Sequence, residues 1–360
     1  MGATFVYVSC AEDGEIASYA LEPSGALAAM ARVKVAKGVM PMAVSPDRRF
    51  LYVVSRPAPY AIHALAIDSD TGALTPSSTS PLPESLPYIS FDRSGRFLLG
   101  ASYHQNLITV TAVGADGRVA STPLQTIPVG RNAHSIRVDA SNRFVFVPTL
   151  GTDALFLFRF DAATGTLESN TPPLCLTPSG AGPRHFEISA DNRMLYVLCE
   201  MSGAIVTFAL DAQTGLLTEV GSVSGLAPGC TLVPGLPRGV PQSGRATRNL
   251  DRDIWAADLH LSPNGKFLYT SERTESTLNV FAVDASTGEL SYRSTHPTER
   301  QPRGFAIDPL GRFLVASGET SESISHYALD SATGALELAG RHSTGKGGNW
   351  VEIVHFDGHR

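Results

Sequence analysis

The stretch Ser45-Pro-Asp-Arg-Arg-Phe50-Leu-Tyr-Val53 is the first copy of a phrase that recurs along the chain. Each copy joins a small or acidic residue to a Gly or Arg, then to a large apolar residue and an apolar run. The phrase returns around Phe97, Phe144, Met194, Phe267 and Phe313. Successive copies are separated by 47, 47, 50, 73 and 46 residues. A recurring period of this length indicates an internal structural repeat.

A second phrase, a short loop that ends in Gly, lies between the copies. It ends at Gly25, Gly72, Gly117, Gly165, Gly215, Gly288 and Gly334, and five of these seven loops are Asp-x-x-Thr-Gly turns. Short runs with period-two alternation separate the loops, for example Leu278-Asn-Val-Phe-Ala-Val283. Regular short strands with Gly turns and no long helical pattern indicate an all-β protein. Four strands in each period are typical of propeller blades.

The strand count predicts the number of blades. A strand precedes each of the six phrases, and a seventh strand of the same kind, beginning near Trp350, ends the chain without partners after it. The N-terminus offers three strands within residues 5–8, 15–20 and 29–35. We therefore predict one blade built from both ends of the chain, which leaves no open sheet edge. The expected fold is an all-β, seven-bladed β-propeller with four strands per blade, as a single domain over residues 1–360.

Composition excludes several classes of protein. The chain has 360 residues, 17% of them charged, and a net charge of −6. It has no polybasic run, no apolar run of membrane-spanning length and no secretory signal. Four cysteines without C-x-x-C spacing indicate reduced thiols rather than disulfides or a zinc site. We expect a cytoplasmic monomer or weak homo-oligomer that binds neither nucleic acid nor membranes.

Unlike residues occupy equivalent positions at one end of the predicted propeller. The loops that enter each innermost strand, and those that follow the second strand, belong to the same face. Aligned on the repeat phrase, these positions hold four arginines, two histidines, three acids and a tyrosine: Arg56, Arg184, Arg273, Arg303, His134, His185, Glu200, Asp258, Glu319 and Tyr88. Scaffold positions would repeat one residue type. A varied polar set at one axial mouth predicts a small-molecule site.

The 73-residue interval contains an insertion at about residues 221–254, on the face of the mouth. It is rich in Gly and Pro and carries the cations Arg238, Arg245, Arg248 and Arg252. Two interpretations are open. The insertion is either a lid that supplies cations over a bound anion, or a surface loop with solvated charges.

The motifs of several enzyme classes are missing from the sequence. It has no H-E-x-x-H, no nucleophile elbow, no P-loop and no G-x-G-x-x-G unit. The one H-x-x-x-H pair, His355 with His359, falls in a C-terminal tail that we expect to be frayed and solvated. We therefore expect neither a metal nor a cofactor.

His134, Arg184 and Glu200 remain as a candidate catalytic trio. A histidine moves protons, an arginine holds a carboxylate or phosphate, and the pKa of a carboxylate responds to its surroundings. A purely structural ion pair between Arg184 and Glu200 is the alternative.

Four stretches carry a resemblance to a known family. They are Gly180-Ala-Gly-Pro-Arg-His185, Trp255-Ala-Ala-Asp258, Thr298-Glu-Arg-Gln-Pro-Arg303 and the closing run from Gly340 to Trp350. Together they resemble the bacterial seven-bladed propeller lactonases, whose best-known activity is 6-phosphogluconolactonase, and which share their fold with the fungal muconate lactonizing enzymes. The resemblance implies a metal-independent lactone site, with the His, Arg and Glu of the muconate branch at His134, Arg184 and Glu200.

The resemblance favours hydrolysis of an anionic sugar lactone as the function. Arg184, with Arg303 or Arg273, would hold the anionic end, and Glu200 or His134 would activate water. The remaining candidates, His185, Asp258 and Tyr88, are assigned to orientation and binding. Two alternatives stay open: a muconate-type lactonizing isomerase and a non-catalytic propeller that acts as a binding scaffold.

Overall fold

The structure, a computed structural model, describes residues 2–239 and 249–358. Within these ranges the chain forms seven antiparallel sheets of four strands each, which are the blades of a propeller. The seven-bladed, all-β fold predicted from the repeat is confirmed. A short 3₁₀ helix, Leu250–Arg252, lies in the insertion. None of the helices in the described residues has the length and apolarity needed to span a bilayer.

The strands have the following bounds, grouped by blade. The blade made from both ends of the chain contains β1 (Ala3–Cys10), β2 (Glu15–Leu21), β3 (Leu27–Lys34) and, from the C-terminus, β28 (Gly348–Phe356). The next three blades contain β4 (Val39–Val44), β5 (Phe50–Ser55), β6 (Ala61–Ile67) and β7 (Leu74–Pro81); β8 (Tyr88–Phe91), β9 (Phe97–Ser102), β10 (Leu107–Ala112) and β11 (Gln125–Pro128); and β12 (Arg137–Val138), β13 (Phe144–Thr149), β14 (Ala154–Asp161) and β15 (Thr166–Leu176). The last three contain β16 (Pro183–Ile188), β17 (Met194–Cys199), β18 (Ala204–Leu210) and β19 (Leu217–Ser224); β20 (Ala256–Leu261), β21 (Phe267–Glu272), β22 (Thr277–Val283) and β23 (Leu290–Pro297); and β24 (Gly304–Ile307), β25 (Phe313–Ser317), β26 (Ser323–Leu329) and β27 (Leu336–Ser343).

The ring closes through the pairing of the two chain ends. Strand β28 runs antiparallel to β1, with Ile353 opposite Val6, and so takes the innermost position of that blade. The expectation of a frayed tail around His355 is wrong. Its Nδ1 lies 2.9 Å from the Thr4 hydroxyl and its side chain is 14% exposed, because β28 extends to Phe356. The second histidine of that pair, His359, lies outside the described residues.

Contacts between neighbouring blades explain why the two repeated phrases occur together. Gly165 has φ near +79°, and a Cβ added there would lie 2.4 Å from the Phe97 ring of the preceding blade. Only glycine combines this backbone conformation with so close an approach. The same contact recurs at Gly25, Gly72, Gly117, Gly215, Gly288 and Gly334, which meet Phe313, Phe5, Phe50, Phe144, Met194 and Phe267 respectively. The aromatic or Met side chain of one blade therefore packs against the turn glycine of the neighbouring blade.

The hydrophobic core lies between the blades rather than at the centre of the ring. In one cluster Leu99 and Val110 of one blade pack against Val145 and Phe158 of the next, all nearly or completely buried. This packing fixes each blade against its neighbours. The innermost strands are thereby held as a rigid wall around the axis, which carries the polar side chains described below.

Candidate functional site

Two cavities lie along the axis of the propeller. The mouth cavity, of about 220 Å³, is lined by residues from the loops that enter the innermost strands or follow the second strands: Arg56, Pro87, Tyr103, His104, His134, Glu200, Arg238, Gly239, Trp255, Arg273 and Arg303. The axial channel, of about 360 Å³, is lined by all seven innermost strands and includes Tyr88, Arg137, Glu187, Asp258, His260, Trp350 and Glu352. Among the residues that the structure describes, four arginines and one carboxylate line the mouth cavity, so its electrostatics favour an anion.

A β-bulge in β16 contains Arg184, whose ion-pair partner Glu200 lines the mouth cavity. In β16 the register shifts between Pro183 and His185, so that Arg184 is the extra residue of the strand. Bulges re-aim side chains and are common beside functional sites. Arg184 is completely buried, and its Nε donates to Glu200 Oε2 at 2.8 Å while Nη1 donates to the Ala257 carbonyl. Its Nη2 has no partner among the described residues.

Glu200 is the shared counter-ion of two buried arginines. Its Oε2 accepts from Arg184 and, also at 2.8 Å, from Nη2 of Arg273. Burial alone would raise the pKa of the Glu200 carboxyl, but Arg273 and Arg184 outweigh burial and hold the pKa below its usual value. The carboxylate is therefore ionised and already engaged. It orients the two guanidinium groups and is a poor acceptor for a proton from water.

His134 is the other candidate base, and its surroundings keep it neutral. The side chain is buried and lines the mouth cavity. Burial, reinforced by the charge of Arg184, lowers the pKa of His134 well below 6.5. Its Nδ1 has no partner among the described residues. A neutral imidazole at the wall of the cavity is able to accept a proton at neutral pH.

Arg303 and Arg56 are two further cations in the wall of the mouth cavity. Arg303 is paired loosely with Glu319, at 3.4 Å, and its buried Nε has no partner among the described residues. Burial and the neighbouring Arg303 lower the pKa of Arg56 to about 10. Such crowding of like charges is relieved when an anion binds. These cations therefore form the most favourable place for an anionic substrate group.

Trp255 is sandwiched between two of the arginines. The guanidinium carbons of Arg238 and Arg273 lie 3.7 and 3.8 Å from its ring centroid. Arg238 comes from the insertion and lines the mouth cavity, as the lid interpretation requires. Arg252 instead donates to the Thr231 carbonyl at an exposed position. The other two cations of the predicted lid, Arg245 and Arg248, lie outside the described residues.

Three of the predicted binding residues lie deeper than expected. Tyr88 and Asp258 line the axial channel, and His185 contacts the rings of both Tyr88 and His134, at centroid distances of 5.1 and 5.0 Å. None of the three is among the described residues that line the mouth cavity, because each is one residue further along its innermost strand than the mouth position. Their predicted role in binding stays a prediction. Of the other five candidates, four line the mouth cavity, namely His134, Glu200, Arg273 and Arg303. Arg184 is joined to that cavity through its ion pair with Glu200.

Sequence reasoning missed a charged network in the axial channel. Arg137 Nη1 lies 3.0 Å from Glu187, whose other oxygen lies 3.1 Å from His260. These three residues come two positions after Ser135, His185 and Asp258 on their strands. Side chains two apart share a face of a strand, so the alternation was an available signal. Within residues 2–239 and 249–358 no group of three or more His, Cys, Asp or Glu side chains is arranged to hold a metal ion.

Comparison with known proteins agrees with this architecture. Residues 5–353 match a family model described as "Lactonase, 7-bladed beta-propeller". A protein of Serratia proteamaculans named 6-phosphogluconolactonase is 38% identical over 303 residues, which cover 84% of each chain. One of the same name from Erwinia tasmaniensis is 35% identical, again over 84% of each chain. The solved periplasmic gluconolactonase of Pseudomonas aeruginosa is 25% identical, with a TM-score of 0.83 over 98% of this chain and 99% of that one.

Proposed function

Because the chain belongs to the family of seven-bladed β-propeller lactonases, we propose that it hydrolyses an anionic sugar lactone at the mouth cavity. The expected substrate is 6-phosphoglucono-1,5-lactone, in keeping with the names of its relatives. The observation that carries this choice is the excess of cations among the described residues of the cavity wall, where Arg56, Arg238, Arg273 and Arg303 are accompanied by one carboxylate, Glu200. Guanidinium groups match the geometry of phosphate and carboxylate oxygens.

The proposed reaction needs one base and one stabiliser of negative charge. His134 removes a proton from water as the water oxygen attacks the lactone carbonyl. A guanidinium near the carbonyl stabilises the tetrahedral oxyanion, which is commonly worth about 3 kcal/mol for each donor. The intermediate then collapses, the bond to the ring oxygen breaks, and the proton held by His134 passes to that oxygen. Glu200 keeps Arg184 and Arg273 in place throughout.

The first test is an assay on the purified full chain with freshly prepared lactones. We expect rapid turnover of 6-phosphoglucono-1,5-lactone, slower turnover of unphosphorylated gluconolactone and no effect of EDTA. Activity only on an unphosphorylated lactone would keep the site and change the substrate. Lactonisation of a muconate diacid would establish the isomerase alternative, and no turnover of any of these compounds would favour a binding scaffold.

The rim cations predict a selective effect of Arg56→Gln. Charge-assisted hydrogen bonds contribute about 1.5–3 kcal/mol, so we expect kcat/KM for the phosphorylated lactone to fall roughly 10- to 100-fold. The value for unphosphorylated gluconolactone should change less than about threefold, since it lacks the group that Arg56 would hold. Arg49→Gln, at an exposed position away from the cavity, is the matched control. Equal losses on both lactones would contradict a phosphate-binding role.

We also propose that the protein is cytoplasmic and acts as a monomer or weak homo-oligomer. Its four cysteines are free thiols, two of them buried, which suits a reducing compartment.

A further inference from the structure

The insertion is bound at Arg238 from two sides of the mouth. The backbone carbonyl of Arg238 accepts a hydrogen bond from the Tyr103 hydroxyl, at 3.1 Å, and its guanidinium stacks on Trp255. Tyr103 follows β9 and Trp255 precedes β20, in blades that lie three places apart around the ring of seven. Three places is the largest separation that such a ring allows. Arg238 is therefore held across the mouth by blades on opposite sides of it.

Stacking on Trp255 uses the face of the Arg238 guanidinium and leaves its edge for hydrogen bonds. The carbon Cζ lies 3.7 Å from the centre of the ring. The N–H donors of a guanidinium lie in its plane and point outward from its edge. Nη2 donates to the Leu250 carbonyl at 3.4 Å, which is longer than a typical hydrogen bond. Because Arg238 also lines the mouth cavity, it offers an oriented, planar donor group to an anion there.

Trp255 separates an inner arginine from an outer one. The inner one, Arg273, has a side chain that is 1% exposed and donates from Nη2 to Glu200 at 2.8 Å. The outer one, Arg238, is half-buried. Their guanidinium carbons lie 3.8 and 3.7 Å from the same ring centre, on its two faces. A phosphate with a bidentate pair of bonds to each arginine would have to occupy the place of the indole. The two cations therefore suit different parts of one ligand.

We propose that Arg238 is the residue that selects a phosphorylated substrate, and that Trp255 is the positioning residue that holds its guanidinium toward the phosphate. The lactone ring then lies at the buried end of the cavity, beside Arg273. This assignment rests on the proposed function, because it divides the substrate of that reaction between the two arginines. Among the described residues of the cavity wall, Arg238 is the one arginine that the insertion supplies.

The direct test measures binding without turnover. The ligands are 6-phosphogluconate and gluconate, the open acids of the two lactones, titrated by calorimetry into the full chain. We expect Arg238→Gln to weaken the binding of 6-phosphogluconate roughly 10- to 100-fold and that of gluconate less than about threefold, because charge-assisted bonds to the phosphate are lost. Equal weakening of both acids would overturn the assignment, as would a wild-type chain that binds the two acids equally well.

Arg252→Gln is the matched control for this titration. It removes a cation from the same insertion, at an exposed position where Arg252 donates to the Thr231 carbonyl. We expect both acids to bind as they do to the wild-type chain. A loss for 6-phosphogluconate as large as that in Arg238→Gln would mean that the net charge of the insertion, rather than the stacked guanidinium, selects the phosphate.

Trp255→Leu tests the positioning role. Because Arg273 stacks on the same ring, the measured quantity is the ratio of kcat/KM for the phosphorylated lactone to that for gluconolactone. We expect this ratio to fall roughly 3- to 30-fold, in line with the strength of cation–π contacts. In the Arg238→Gln background the same substitution should change the ratio less than about twofold. An unchanged ratio in the first case, or an equal fall in both, would show that Trp255 does not act through Arg238.

Tyr103→Phe is the second variant if Trp255→Leu does not fold. It removes the hydroxyl that binds the Arg238 carbonyl and keeps the ring, which packs edge-on against His134. The loss of one neutral hydrogen bond should lower the same ratio roughly two- to tenfold. A ratio equal to that of the wild-type chain would contradict the anchoring of Arg238 across the mouth.

The outcomes keep the two proposals apart. A chain that hydrolyses no lactone but binds 6-phosphogluconate through Arg238 would refute the proposed function and keep the phosphate site. Rapid turnover of both lactones, with a ratio that Arg238→Gln leaves unchanged, would keep the function and overturn the role of Arg238.

Discussion

Glu200→Gln is expected to lower both the stability of the fold and the activity of the site. The change leaves Arg184 and Arg273 buried side by side without the carboxylate that both contact at 2.8 Å. Removing one partner of a buried ion pair typically costs about 3–5 kcal/mol, because the remaining charge is uncompensated. Urea denaturation should show a loss of this size in the free energy of unfolding. With its two guanidinium groups displaced, the variant should also lose more than about tenfold in kcat/KM.

Glu319→Gln is the matched control for this experiment. Glu319 lies on the same rim, 3.4 Å from Arg303 and 3.9 Å from Arg273, but its side chain is 23% exposed. Pairs that solvent can screen contribute little, so the loss of stability should stay below about 1 kcal/mol. If both variants lost the same free energy, Glu200 would not be the buried counter-ion that we describe.

The number of blades was predictable because each contact between neighbouring blades involves two residues that both recur in the sequence, a turn glycine and a large apolar residue. The turn glycine of one blade needs positive φ and contacts the aromatic or Met side chain of its neighbour, as Gly165 does with Phe97. Because the two residues must meet, neither can be moved along the chain without loss of the contact. The two phrases therefore keep a similar spacing from blade to blade. This shared requirement makes the repeat recognisable in the sequence even though the other residues of each blade vary.

The arrangement within the site was only partly predictable. Alignment on the repeat correctly brought Arg184, Glu200 and Arg273 to one face, since equivalent positions lie at equivalent heights. It could not show that one carboxylate serves both arginines, because that depends on the register shift at Arg184. The stacking of Arg238 on Trp255 was not predicted for a different reason. Arg238 belongs to the insertion, and the insertion has no equivalent in the other blades with which it could be aligned.

The balance of charged side chains differs between the mouth cavity and the axial channel. At the mouth, the cations outnumber the carboxylates among the described residues, and two arginine donors, Arg184 Nη2 and Arg303 Nε, have no partner there, which suits a site for an anion. In the axial channel, Arg137 and His260 are matched by Glu187 and Asp258, so the charges are satisfied internally. His185 and His134 lie where the two regions meet. If His134 is the base, as we propose, it would meet the substrate on the side of the mouth, while its ring packs against His185, which is bonded to Asp258.

His134→Ala is expected to reduce kcat about 10²- to 10⁴-fold, which is the usual contribution of a positioned general base. KM should change little, since the anionic group of the substrate is held by the arginines. The wild-type pH profile should also identify the base. Burial and Arg184 lower the pKa of His134 well below 6.5, so kcat/KM should fall only on the acid side of pH 6.5 and stay level from there to pH 7.5. Rates are measured by pH-stat after subtraction of the spontaneous hydrolysis.

Two further observations would separate loss of the base from a general disturbance of the site. Imidazole added to His134→Ala should restore part of the rate in proportion to its unprotonated fraction, because the substitution leaves room for a ring beside the cavity. His63→Ala, in the third strand of its blade and bonded only to the Thr79 and Ser55 hydroxyls among the described contacts, should keep wild-type kinetics. If His134→Ala kept more than a tenth of the wild-type kcat with an unchanged acid limb, the proton would go elsewhere. Glu200, held ionised by Arg273 and Arg184, would then have to be reconsidered as its acceptor.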